Sequence, residues 1–343
     1  MSQATAKQNI KLPKVIFGTS ALGNLYTALP IEIKEEIVSN CVKYSPTPVV
    51  FDSAGKYGAG LALESLAECL DRLQVDPSSV VISNKLGWYR TELTTEEPTF
   101  EPGVWRDLKF DAVQRISYEG ILECFQQGNK LLGKYAPQFI SIHDPDEYLA
   151  TAKSAEEAEE LYTDVLEAYK ALATLRETHG VLIGVGAKTW TIIQRIADDI
   201  DLDWVMFANS MTIRKHPSDL LQFMETLKAK GVQIINSAVF HAGFLTGGEY
   251  YDYKLIKPDS EENSAIFKWR EDFFRLCEQF KIKPAAACVQ FALSAPGVVS
   301  IALNTTNPKR VEENVQLAYQ EVPADFWTAM KNEGLISKEY RYL

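Results

Sequence analysis

The sequence has no Cys-x-x-Cys pair, no GxSxG segment and no unbroken apolar run approaching the roughly 18 residues of a membrane-spanning helix. Its five cysteines (Cys41, Cys69, Cys124, Cys277 and Cys288) form an odd set, and four of them fall in stretches of helical period. That pattern suits reduced thiols in a cytoplasmic protein and argues against a disulfide framework. Basic residues are in deficit, 35 against 46 acidic ones, for a formal charge of -11. Such a surface repels phosphate backbones and anionic membranes, so neither nucleic acid nor membrane is an expected partner. Histidine is scarce as well. His179, His216 and His241 are scattered, and His143, Asp144 and Asp146 lack a matching ligand set elsewhere, so no metal is implied. The polar start of the chain, Met1 to Lys14, has no apolar core of the kind a secretion signal needs.

What the chain does have is ordinary globular composition, 46% hydrophobic and 24% charged over 343 residues. That length allows two domains or one large α/β barrel. Short β-branched runs alternate with longer helical periods throughout. The runs Val15 to Gly18, Val49 to Asp52, Val80 to Asn84, Phe139 to His143, Val181 to Gly184, Trp204 to Phe207, Val232 to Asn236 and Val298 to Ala302 read as eight strands. Between them, Leu63, Leu66, Leu70 and Leu73 share one helical face, as do Leu161, Val165, Ala168, Leu172 and Leu175. A β-α unit repeated eight times with no linker predicts a single-domain (β/α)8 barrel, a TIM barrel, over residues 1–343. The alternative is a doubly wound sheet, but its nucleotide-binding form carries GxGxxG after the first strand, and Gly18-Thr19-Ser20-Ala21-Leu22-Gly23 lacks that spacing.

Two stretches exceed ordinary barrel loops: about 86–111, with Trp88, Tyr89 and Trp105, and about 238–262, rich in Gly and Tyr. Both follow strands, so both are expected on the C-terminal rim as walls of a pocket. Four ionisable residues also fall at or beyond strand ends: Asp52, Tyr57, Lys85 and His143. In a barrel they converge. A tyrosine of ordinary pKa near 10 serves as acid or base near neutrality only with a cation beside its oxygen, which Lys85 supplies. Asp52 then keeps the lysine charged, and His143 holds a substrate oxygen.

These residues sit in segments that resemble the aldo-keto reductase family. Gly18-Thr19-Ser20 with Leu22-Gly23-Asn24-Leu25-Tyr26 is similar to its first-strand signature, and Phe51-Asp52-Ser53-Ala54-Gly55-Lys56-Tyr57-Gly58-Ala59-Gly60 to its FDTAxxYGxG segment. Ser83-Asn84-Lys85 and Ile142-His143-Asp144-Pro145-Asp146 follow in order. The matches continue through Gly231-Val232 and Ala242-Gly243-Phe244-Leu245-Thr246-Gly247 to Glu312-Glu313-Asn314.

The resemblance implies a barrel holding NAD or NADP across its C-terminal rim, with Tyr57 as general acid/base, Lys85 lowering its pKa, Asp52 paired with Lys85 and His143 orienting the substrate. The candidate cofactor contacts are Gly18, Thr19, Asn209, Ser237, Phe240, Gly243, Leu245, Asn304, Thr305, Arg310 and Asn314, and the candidate substrate contacts are Tyr26, Trp88, Trp105 and Trp190. Three departures stand out. Gly186-Ala187 replaces the pair that holds the nicotinamide carboxamide, leaving Asn209 or Lys188 for that grip. Ser237 replaces a stacking aromatic, leaving Phe240 or Trp190. The segment from Asp52 to Glu64 is one residue longer than usual.

Leu22 to Tyr26, Tyr57 to Leu61, His143 to Asp146 and Gly184-Val185-Gly186 resemble more closely the aldose 1-dehydrogenase branch (L-fucose, D-threo-aldose and L-galactose dehydrogenases, and pyridoxal dehydrogenase). This implies a sugar substrate oxidised at C1 to a lactone. The alternatives are a general NADPH-dependent carbonyl reductase and a non-catalytic dinucleotide-binding regulatory subunit. Asn304, where NADP-binding relatives offer lysine to the 2′-phosphate, favours NAD.

Overall fold

The computed structural model describes residues 10–252 and 254–343; Met1 to Asn9 of the polar start, and Tyr253 in the second rim segment, lie outside them. Eight parallel strands close into a barrel: β1 (Val15–Gly18), β2 (Val49–Ala54), β3 (Val80–Leu86), β4 (Phe139–His143), β5 (Leu182–Ala187), β6 (Trp204–Ala208), β7 (Gln233–Ser237) and β8 (Val298–Leu303). Each is hydrogen-bonded to its neighbours in sequence, and β8 closes on β1 through the register Val15↔Ile301. A helix covers each strand, among them Leu61–Arg72 after β2 and the 25-residue Ala155–His179 after β4. Their starts are chemically marked: Ser117 and Ser154 accept from the backbone N–H groups of Gly120 and Glu157, satisfying donors that a helix leaves unpaired. Among the described residues no helix is long and apolar enough to cross a membrane.

Strand alternation builds two cores. Val15, Phe17, Phe51 and Ile82 point outward to the helices, whereas Ile16, Val50, Val81, Phe139, Leu182, Trp204, Met206 and Ile235 fill the barrel's interior. Because side chains repeat every two residues, Asp52 follows Val50 to the inside, Lys85 follows Val81 and Ser83, and His143 follows Phe139 and Ser141. The interior is therefore apolar below and polar at the C-terminal end. All five cysteines are buried, unpaired thiols.

The first rim segment is more ordered than a loop. Trp88–Glu92 and Phe110–Gln114 pair as an antiparallel hairpin, with Trp88 opposite Gln114. Its base is anchored by Arg90, whose Nε donates to the Ala59 carbonyl at 2.6 Å and whose Nη2 reaches Glu64 at 2.9 Å. The tip folds back over the barrel mouth, where Leu25 bridges Trp105 and the Arg106 N–H bonds the Asn24 carbonyl at 3.0 Å. The second rim segment carries a smaller hairpin, Tyr250–Tyr251 against Lys254–Leu255.

Candidate active site

The turn that follows β2 carries Tyr57. Its position is set by backbone contact: Gly58 has φ +62°, and a Cβ there would collide with the carbonyl of Gly23, while a Cβ on Gly23 would lie 2.8 Å from the Tyr57 carbonyl. Only glycine fits both sides of this approach. The Tyr57 ring is thereby held over the barrel mouth.

Lys85 is the hub. Its Nζ donates to Asp52 Oδ2 at 2.6 Å, to Tyr57 Oη at 3.1 Å and to the Ser53 carbonyl at 3.3 Å. Lys85 and Asp52 are each only 4% exposed. Burial pulls the ammonium's pKa down, but the Asp52 carboxylate and the Tyr57 oxygen outweigh it and hold the lysine above its usual range. For Tyr57 burial dominates: the phenol is pushed up to about 12, with Lys85 pulling the other way and Asp52 and Asp144 adding to the rise. The lysine therefore acts in the expected direction without bringing the phenol below its ordinary value.

His143 ends β4 with its ring edge-on to Tyr57, centroids 5.4 Å apart. Burial first, then the cations Lys85, Lys56 and Lys188, keep its pKa well below the usual histidine range, so it is neutral near pH 7. Its Nδ1 is buried without a partner. Over the tyrosine stands an aromatic wall: Trp105 lies 5.9 Å from the Tyr57 ring and Phe100 6.4 Å from Trp105, with Trp88 against Phe100. Lys56, 5% exposed, ties this wall to the far rim by pairing with Glu101 at 2.7 Å and Glu147 at 3.2 Å.

The chain matches the Aldo/keto reductase family over residues 14–332. It belongs to that family of oxidoreductases. Among similar proteins are a pyridoxal 4-dehydrogenase from Microbacterium luteolum, 25% identical over 98% of both chains, and a D-threo-aldose 1-dehydrogenase from a Pseudomonas species, 24% identical over 97% of both. Solved structures of the same fold include the holo form of a Bacillus halodurans aldo-keto reductase (TM-score 0.67, 14% identity, 94% of this chain and 92% of that one). A glycerol dehydrogenase from Gluconobacter oxydans is similar (TM-score 0.68, 14% identity, 98% of both).

Aldo-keto reductases use nicotinamide cofactors, and this rim has donors and acceptors suited to one. Asn209 follows β6 in a left-handed conformation (φ 58°), buried, with its carboxamide oxygen unpartnered. Asn304 is exposed at the end of β8, where its Nδ2 bonds Ser20 Oγ at 2.7 Å; a Cβ on Gly18 would come within 3.3 Å of it. Thr305 and Asn307 cap the turn that leads to the helix Arg310–Leu317, and Lys309 and Arg310 are exposed there, with Asn314 half-buried one turn on. Gly243 has open space where a Cβ would be, and Ser237 sits at the end of β7.

Several residues expected at the site are engaged elsewhere. Thr19 is buried, its hydroxyl donating to Ser53 Oγ at 2.8 Å, so it ties β1 to β2. Leu245 is fully buried in the outer core, leaving only its backbone for a ligand, and Phe240 leans on the same core. Trp190 packs on Phe223, which meets the outward-facing Phe207; it belongs to the helical layer, not the pocket. Tyr26, 54% exposed, stands at the rim, and Trp88 and Trp105 form the wall. Lys188 is turned toward Glu147, with which its Nζ pairs. Nothing in the sequence marks Lys56 or Asp144 as part of the site, because partners from separate loops decide their burial.

Proposed function

We propose that the protein oxidises an aldose, of L-fucose, D-threo-aldose or L-galactose type, at C1 to the lactone with NAD as hydride acceptor. The observation that carries this reading is the Asp52–Lys85–Tyr57 chain beside a neutral His143 under the Trp88–Trp105 wall. The two full-length relatives support it: pyridoxal and aldoses both close into cyclic hemiacetals, the functional group such a site oxidises.

The residues divide the work. His143, neutral, bonds the C1 hydroxyl oxygen and orients it toward Tyr57. Tyr57 Oη accepts the hydroxyl proton as C1 loses its hydrogen with an electron pair and the C1–O bond becomes a carbonyl. Lys85 stabilises the phenolate that takes that proton, and Asp52 keeps Lys85 charged. When bound, the nicotinamide supplies the acceptor for the hydride. Asn209 suits its carboxamide, and Asn304, Thr305, Arg310 and Asn314 its ribose and adenine end. The aromatic wall rests on the apolar face of a neutral sugar.

One observation favours a second reading. A phenol held up to about 12 stays protonated near neutrality, the form that reduction of aldehydes or ketones with NADPH draws on. The buried Asp52–Lys85 pair in hydrogen-bond reach of Tyr57 suits proton transfer better than a purely regulatory role. The buried reduced thiols suit a cytoplasmic setting. The test is steady-state oxidation of L-fucose, D-arabinose, L-galactose and pyridoxal with each cofactor, following lactone and reduced nicotinamide together. Inert sugars alongside brisk reduction of simple aldehydes would transfer the assignment to the carbonyl reductase.

A further inference from the structure

Of Asp52 and the three carboxylates that follow His143 in sequence, three are committed. Asp52 pairs with Lys85. Asp146 accepts the backbone N–H groups of Lys188 and Thr189 at 3.1 and 2.8 Å, and Glu147 pairs with Lys56 and Lys188. Asp144 differs. Its side chain is 22% exposed, its Oδ2 lies 3.6 Å from His143 Nε2, and among the described residues no hydrogen bond reaches it. It is also held in a left-handed conformation (φ 44°, ψ 60°), which asparagine or glycine adopts at least as readily.

Partial burial of a carboxylate costs free energy, which solvent at its exposed edge reduces. Lys188 and Lys56 offset part of that cost, while Glu147 and Asp146 add to it, and burial leaves its pKa raised to about 6. Such a group has accepting oxygens within reach of both solvent and a ligand's hydroxyl. Its place is informative: it lies 3.6 Å from Nε2 of the imidazole that stands edge-on to Tyr57, in the part of the site where a reacting oxygen would be held.

We propose that Asp144 selects substrates that carry a hydroxyl on the carbon next to the reacting one, accepting that hydroxyl while His143 holds the reacting oxygen. The inference deepens the aldose reading and shares its placement of the reacting oxygen, but it does not require that the substrate be a sugar or the direction oxidation.

The experiment compares kcat/KM for reduction of glyceraldehyde and of propanal by the cofactor-loaded protein, in wild type, Asp144→Asn and Asp144→Gly. Both replacements tolerate the left-handed backbone, and asparagine keeps the shape should glycine fold poorly. Wild type should prefer glyceraldehyde. Loss of a charge-assisted hydrogen bond should lower the ratio of the glyceraldehyde value to the propanal value about 10- to 100-fold, more for glycine than for asparagine. A wild type indifferent to the hydroxyl, variants that lose both substrates equally, or variants that lose neither would overturn the assignment. If sugars prove inert to oxidation while the glyceraldehyde preference depends on Asp144, the aldose reading fails and this one stands.

Discussion

Gly58 lies against Gly23 so closely that neither can carry a side chain, and this contact holds Tyr57 where Lys85 can reach its oxygen. Gly58→Ala adds both a collision and a strained positive φ. It should destabilise the protein by about 1 to 3 kcal/mol and lower turnover beyond what the stability loss explains. Denaturant unfolding and steady-state rates measure the two effects. Wild-type values for both would mean that the turn tolerates displacement and does not fix the tyrosine.

The Lys85–Asp52 pair makes a stability prediction. Lys85→Met strands a buried carboxylate and should cost about 3 to 5 kcal/mol, whereas Lys85→Met combined with Asp52→Asn removes the uncompensated charge and should recover much of it. Turnover should recover in neither. A double variant as unstable as the single one would show that the pair's burial is not the source of the cost.

Tyr57, pushed up to about 12, is protonated across the neutral range. Reduction draws on the phenol and should vary little between about pH 6 and pH 9. Oxidation draws on the phenolate, whose fraction rises tenfold per pH unit below the pKa, so its kcat/KM should climb steadily from about pH 7 to pH 10. Profiles of the opposite sense would contradict the assignment of Tyr57 as the proton carrier.

Asn304 makes the cofactor preference testable. A neutral amide bonds ribose hydroxyls but does not neutralise a 2′-phosphate, a difference of about 10- to 100-fold in affinity. Asn304→Lys should shift the ratio of specificity constants toward NADP. A wild type that already favours NADP about tenfold or more would contradict this, with Lys309 or Arg310 then meeting the phosphate.

The barrel was legible because its strands are short apolar runs with a period of two. Their ends were less so: β2 continues through Ser53 and Ala54 and β3 through Lys85 and Leu86, where the backbone ladder outlasts the apolar pattern. Val181 and Val232 fall just before the strands expected to include them, which start at Leu182 and Gln233. The hairpin Trp88–Glu92 with Phe110–Gln114 escaped because its two halves find each other across a long insertion, a pairing that no local period records. Of the site, Asp52, Tyr57, Lys85 and His143 were readable from strand ends, and the geometry brings them together. Trp190 was not, since a half-buried aromatic after a strand looks the same whether it faces a pocket or, as here, Phe223.

The most direct test compares wild type and Tyr57→Phe in oxidation of L-fucose by NAD, with cofactor binding followed separately by fluorescence. Wild type should form lactone and reduced cofactor in equal amounts. The variant should bind cofactor as wild type does and turn over at least ~100-fold more slowly, the lower end of what a general acid/base contributes. A variant that oxidises the sugar at close to the wild-type rate would contradict this.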